Sequence, residues 1–402
     1  MSENKSQQKP ESFLEEAPSS FELQSYLFRV RTAISNAGYL LRLDREKQDN
    51  IRNNLIFDSF TYHYLNNGFY RDLCNDRKVS PENVREEGVE NIPVIPVNMF
   101  KNPEYSHLLL TMAEEKMEME LFSTGTSGVT SIAKRDRESA YSLGLMLTGL
   151  YTEFLGIIRG FGLFLCPSIA EAPGMGMVKG LNFLSGLLDD RSYLVRRYEF
   201  SAEEAINTLK DWEKRLTRHI VGPPFMINRL LRYIKDNNIK IELDEKSYII
   251  MMGGWKKYTG EEISREAFNQ SCMGSLGVES HRIRDIYAMV ESNLFAIECE
   301  KNIKHIPPWI RIVMRDPDDP QRIVRNIGES GRISILDPTN LSYPCFIETE
   351  DVGHIPVDAC SCQRISQTMA FETRISGAEV GCCAINLERY MDENEMLRSC
   401  GL

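Results

Sequence analysis

Between residues 201 and 291 the chain alternates apolar strand-like runs with helical ones, and this alternation limits its architecture more than any other feature. Ser201-Ala-Glu-Glu204 reads as a helix start, with Ser201 as N-cap and Glu204 placed to complete a capping box. His219-Ile-Val221 is a short apolar run, followed by Gly222-Pro-Pro224 and a helical pattern from Phe225 to Ile234. Ser247 to Met252 and Arg284 to Val290 are two further strand runs; the first stops at Gly253-Gly254 and the second at Glu291. Strands separated by helices predict an α/β fold whose sheets are covered by helices. In such sheets ligands bind just past the strand ends, where Gly222, Gly253, Gly254 and Glu291 fall.

Upstream, Ser123-Thr124-Gly125-Thr126-Ser127-Gly128 is rich in hydroxyls and glycine. Glycine lets backbone N–H groups turn toward a ligand and the hydroxyls add donors, a surface suited to polyphosphate. It is not the standard P-loop, because no Gly-Lys-Ser/Thr follows, and a flexible polar turn is the other reading. The acidic run Met112 to Phe122 before it reads as helical, and Val129 to Ala133 after it as a strand. Leu23, Tyr26, Leu27, Val30, Ile34, Leu40 and Leu41 predict amphipathic helix over 20–75, ending near Gly68. Asn91 to Val97, punctuated by two prolines, suits an edge strand or connector. The apolar block from Tyr141 to Cys166 carries Glu153 and Arg159, so a buried helix or helix pair is expected rather than a membrane span. Residues 310–350 turn to short strands, with a hairpin-like start at Gly331.

A chain of 402 residues can bury a large core, and 42% hydrophobic with 26% charged residues is ordinary for a soluble protein. The net charge of −11 argues against a nucleic-acid partner but not against a nucleotide substrate held by a local cluster. Met1 to Pro18 is polar with no apolar stretch, which predicts a disordered tail, no secretory signal and a cytoplasmic location. The ten cysteines are therefore expected as free thiols. Cys360-Ser-Cys362 and Cys382-Cys383 lack structural-zinc spacing, which weighs against zinc.

The order of the pieces carries more than any one of them. The 123–128 string, Gly253-Gly254, Tyr287-Ala-Met-Val-Glu291, Gly328-Glu-Ser-Gly331 and Thr349-Glu-Asp351 together resemble the adenylate-forming ligase superfamily. Alone, Tyr287 would read as core and Asp351 as a turn residue. Over nearly the whole chain the sequence is similar to the acyl-protein synthetases of bacterial bioluminescence. The matching strings include Ile92-Pro-Val-Ile-Pro-Val-Asn-Met-Phe100-Lys101, Val129 to Arg137, Gly253-Gly-Trp-Lys256, His305-Ile-Pro-Pro-Trp309, Ser342-Tyr-Pro-Cys-Phe-Ile347 and Gly381-Cys-Cys-Ala384.

The resemblance implies an acyl-CoA synthetase-like α/β fold, with a large multi-sheet domain over 19–350 and a shortened C-terminal region over 351–402. It implies ATP and Mg²⁺, with Ser123, Thr124, Gly125, Thr126, Ser127 and Gly128 on the phosphates and Gly253 and Gly254 in the nucleotide site. By the same resemblance Tyr287 lines the adenine pocket, Asp351 binds the ribose and Glu291 holds Mg²⁺. Val290 stands where the superfamily usually has Thr. Cys383 would take the acyl group as a thioester, with Cys382 as its neighbour in register; on residues alone the pair also reads as packing. The chain has no lysine after Lys304, so Arg364, Arg374 or a lysine of the large domain would replace the superfamily's C-terminal lysine. The implied substrate is a long-chain fatty acid, and the implied partners are an acyl-CoA reductase-like subunit and a thioesterase. Two other readings stay open: transfer to coenzyme A, a carrier protein or an amine, and a non-catalytic nucleotide-binding subunit.

Overall fold

The computed structural model describes residues 21–123, 130–156, 159–253, 263–320 and 322–376, together with Leu387 and Met391. Its strands in chain order begin with β1 Ile95–Pro96, β2 Met117–Ser123, β3 Ser131–Asp136, β4 Phe161–Phe164, β5 Asp190–Tyr193, β6 Val195–Arg196, β7 Glu199–Phe200 and β8 Arg218–Gly222. They continue with β9 Ile249–Met252, β10 Ile283–Ala288, β11 Phe295–Glu298, β12 Lys304–His305, β13 Arg311–Arg315, β14 Ile323–Val324, β15 Gly331–Leu336, β16 Phe346–His354 and β17 Thr368–Arg374.

Most of them join one sheet, in the order β14-β13-β15-β16-β17-β12-β11-β10-β9-β8-β4-β5, with β1 added in parallel to β16. The half from β5 to β10 is parallel. Its connections carry the helices Gly176–Ser185, Ala202–Trp212, Pro224–Asp236 and Arg265–Leu276, as the alternation predicts. The strands β4, β8 and β9 are buried throughout, the signature of a sheet covered on both faces. From β10 to β14 the pairing becomes antiparallel. The boundary expected at residues 350 and 351 falls inside β16, and β17 beyond it pairs with both β16 and β12.

Four local expectations need correction. The acidic run before the 123–128 string is not helical: after a single turn at Glu114–Lys116 it forms β2, antiparallel to β3. Met117, Met119 and Leu121 alternate with Glu118 and Glu120, a period of two that outweighs the helix propensity of Glu and Met. The N-terminal helices do not end at Gly68; Asn67 caps a further helix, Gly68–Asp76, by accepting from the Tyr70 N–H. Of the helix or helix pair expected after Tyr141, the single helix forms, Arg137–Leu155, but the rest of the apolar block is β4; Glu153 within the helix is met by Arg42 and Arg364. At Ser201 the N-cap forms, but the Glu204 carboxylate pairs with Arg196 instead of closing a capping box.

Asp136, in one of the family-like strings, has a structural task. Its carboxylate caps the helix Arg137–Leu155 through the Glu138 and Ser139 N–H groups and accepts from the buried Ser342 hydroxyl at 2.7 Å. Asp136→Ala removes the cap and strands that hydroxyl, so an unfolding titration should show a loss of about 2–3 kcal/mol.

Candidate active site

Loop 289–294, between β10 and β11, is held from below by a buried polar frame. Arg135 donates to Asn293 Oδ1 at 3.1 Å and to the Val290 carbonyl at 2.9 Å, and bonds Tyr343. Asp337 accepts from Ser292 Oγ at 2.9 Å and from the Asn293 N–H at 2.7 Å. The Tyr343 hydroxyl donates to the Glu291 carbonyl at 2.9 Å. With its backbone fixed on both sides, the loop presents the Glu291 side chain to a cavity of about 710 Å³. That volume is in the usual range of small-molecule sites, about 300–1,000 Å³.

Six of the residues expected from the sequence line this one cavity: Ser123, Gly253, Tyr287, Glu291, Asp351 and Arg374. They come from β2, the end of β9, β10 and its loop, β16 and β17. Gly253, just past β9, has φ +108°, a conformation open to glycine but strained for other residues. Gly176 lets the start of its helix press against the loop, since a Cβ there would lie 2.3 Å from Val290 Cγ1. Thr124, Gly125, Thr126, Ser127, Gly128, Gly254, Cys382 and Cys383 lie outside the described residues. Ser123 faces Ser131 across the antiparallel pair, and its Oγ accepts the Ser131 N–H at 3.2 Å.

Asp351 owes its placement to an irregularity. Arg332 pairs with Val352 and Ser334 with Glu348, so Thr349, Glu350 and Asp351 form a bulge in β16. A bulge re-aims side chains, and here it brings all three to the cavity. Asp351 accepts from the Tyr287 hydroxyl at 2.6 Å and from Arg374 Nε at 2.9 Å. Burial and this carboxylate push the Tyr287 phenol well above its ordinary range, so it stays a donor. Burial likewise raises the Glu291 carboxyl, although Lys101 and Arg374 pull the other way. A buried carboxylate facing a cavity, with its charge disfavoured by desolvation, is chemically suited to a hard cation such as Mg²⁺.

Further wall residues were not singled out individually by the sequence. Phe371 stacks near Tyr287, with ring centroids 6.4 Å apart and planes at 27°. Lys101 reaches Glu350 at 3.3 Å, and Lys179 donates to the Glu120 carbonyl at 2.8 Å. Lys304 is bound by Asp285 at 2.8 Å and Glu298 at 3.1 Å. A second part of the wall is apolar and includes Leu143, Leu147, Met177, Phe183, Met252 and Phe295. Arg364 is not brought to the cavity; it pairs with Glu153 and Glu300, each at 3.1 Å.

Residues 34–391 match the family model described as acyl-protein synthetase, LuxE. The chain belongs to that family. Within it, the chain is 31% identical over 318 residues to a long-chain-fatty-acid–luciferin-component ligase of Aliivibrio fischeri, covering 77% of this chain and 80% of the relative. The ligase of the same name from Vibrio harveyi is 28% identical over 354 residues, covering 86% and 89%. Among solved structures, a 2-hydroxyisobutyryl-CoA ligase in complex with 2-HIB-AMP superposes with a TM-score of 0.62 at 12% identity, over 83% of this chain and 69% of that one. The same ligase with 2-HIB-AMP and CoA gives 0.61, over 84% and 70%. This acyl-protein synthetase family member thus has the fold of adenylate-forming ligases, and it is a ligase. No described helix is long and apolar enough to cross a membrane.

Proposed function

We propose that this ligase activates a long-chain fatty acid with ATP as acyl-AMP and then takes the acyl group onto Cys383 as a thioester, for delivery to an acyl reductase partner. The observation that carries the reading is the meeting of Tyr287, Glu291, Asp351 and Arg374 in one cavity whose other wall is apolar. Polar and apolar walls together suit a nucleotide joined to an aliphatic chain. The long-chain substrate is taken from the names of the Aliivibrio and Vibrio relatives.

A carboxylate is a poor electrophile until it carries a good leaving group, and attack on the α-phosphate of ATP supplies one as pyrophosphate departs. Tyr287 and Phe371 would hold the adenine, and Asp351 would accept from the ribose while Tyr287 and Arg374 orient it. Ser123 and the hydroxyls of Thr124, Thr126 and Ser127 would donate to the phosphates. Glu291 would hold Mg²⁺, which when bound offsets phosphate charge. Arg374 and Lys101 add positive charge in place of the missing C-terminal lysine. In the second step the Cys383 thiolate attacks the acyl carbonyl, AMP leaves, and a reducible thioester remains.

Incubation with ATP, Mg²⁺ and labelled tetradecanoate tests this. The expected result is label on the protein that hydroxylamine removes and that Cys383→Ala abolishes, with ATP–pyrophosphate exchange retained in the variant. Label transferred only when coenzyme A is added would overturn the acyl-protein step. Absence of exchange would favour a nucleotide-binding subunit without catalysis.

A further inference from the structure

Four potential metal ligands that the sequence scatters over more than sixty residues meet outside the cavity lining. Cys299 follows β11 and His305 lies in β12, while Cys360 and Cys362 lie in the connection between β16 and β17. Their ligand atoms all lie within 4.8 Å of one another. Cys299 Sγ is 3.7 Å from Cys360 Sγ, and Cys362 Sγ is 3.3 Å from His305 Nε2. We propose that Cys299, His305, Cys360 and Cys362 bind one structural Zn²⁺.

Two of the separations, 3.7 Å and 3.3 Å, are near those such an ion imposes. Tetrahedral zinc with ordinary bond lengths separates two thiolate sulfurs by about 3.8 Å and a sulfur from an imidazole nitrogen by about 3.6 Å. The surroundings also fit. His305 Nδ1 lies 3.2 Å from the buried Ser366 hydroxyl, which orients the ring and leaves Nε2 toward the sulfurs. The Lys301 N–H donates to Cys299 Sγ at 3.4 Å, a contact that supports a thiolate. Arg364 lies next to Cys362 and adds positive charge beside the sulfurs. A disulfide between Cys299 and Cys360 would need the sulfurs about 2.05 Å apart rather than 3.7 Å, and it would not account for the imidazole directed at Cys362.

Three thiolates and one imidazole are soft, nitrogen and sulfur ligands, and four protein ligands leave no open position, so the site is structural. None of the four lines the cavity. The ion would tie the β11–β12 hairpin to the segment leading into β17. That hairpin carries Lys304 and that strand carries Arg374, both of which face the cavity. Bound thiolates are also withdrawn from competition with Cys383 for an acyl group.

The test uses the full chain purified without chelator or metal-affinity resin. Elemental analysis should find about one zinc per chain, and a mercurial that titrates thiols should release it to a chromogenic chelator. Chelation should lower the melting temperature, and re-addition of zinc should restore it. Cys360→Ser and His305→Ala should weaken zinc binding by more than the roughly 10–100-fold that loss of an outer partner costs. Should these variants fail to fold, cobalt exchanged into the unaltered chain gives an independent readout: intense visible bands of tetrahedral thiolate coordination are expected. Failure of the reduced chain to bind either zinc or cobalt overturns the proposal. So does a Cys299–Cys360 disulfide in the native protein, or an iron–sulfur chromophore in place of zinc.

Discussion

Glu291→Gln is expected to reduce ATP–pyrophosphate exchange by roughly 10²–10³-fold, the scale of losing one group that stabilises charge in a transition state. The amide keeps the shape and the buried loop frame, so the fold should remain. Stability should move the other way. Burial raises the folded-state pKa of Glu291 above its unfolded value, so its neutral form is favoured on folding. That contribution is fully present below the unfolded pKa and is lost as pH rises through the raised folded value. At neutral pH the carboxylate therefore costs stability that glutamine does not. Melting temperatures without ligand should favour Glu291→Gln at neutral pH, and the difference should shrink as the pH falls into the carboxyl range. Unchanged exchange would remove Glu291 from the site; equal melting temperatures across pH would contradict the burial argument.

Asp351→Ala should raise the KM for ATP by roughly 10–100-fold, the equivalent of a charged hydrogen bond worth about 1.5–3 kcal/mol. It also strips the acceptor from Tyr287 at 2.6 Å and from Arg374 at 2.9 Å. Urea unfolding should accordingly show a loss of about 1–3 kcal/mol. The two readouts separate binding from support. A residue that only braced the bulge in β16 would lower stability and leave the KM for ATP unchanged.

The polar end of the cavity was legible because its residues sit at strand ends in a recognisable order. Tyr287 and Glu291 mark the end of β10 and the loop beyond it, and Gly253 stands where β9 must turn with positive φ. Phe371 and Lys179 were not legible, since each reaches the cavity from an element whose own pattern says only strand or helix. Arg364 and Arg374 illustrate the same limit: both fit the missing positive charge, and only the pairing of β16 with β17 brings Arg374 to Asp351 and leaves Arg364 with Glu153 and Glu300. The acidic run over 112–122 was misread because Glu and Met favour helix locally, whereas pairing with β3 decides its state.

By itself, the order of apolar runs, glycines and hydroxyls determined an α/β sheet with glycine and polar residues past its strand ends, because strand periodicity and backbone freedom are local properties. The tertiary structure decided which side chains share one cavity and which thiols share one imidazole. Cys299 and His305 are distant in sequence from Cys360 and Cys362, and the Cys-x-Cys spacing alone argued against zinc. Ligand distance is set by strand pairing across β11, β12 and β17, which residue spacing along the chain does not encode.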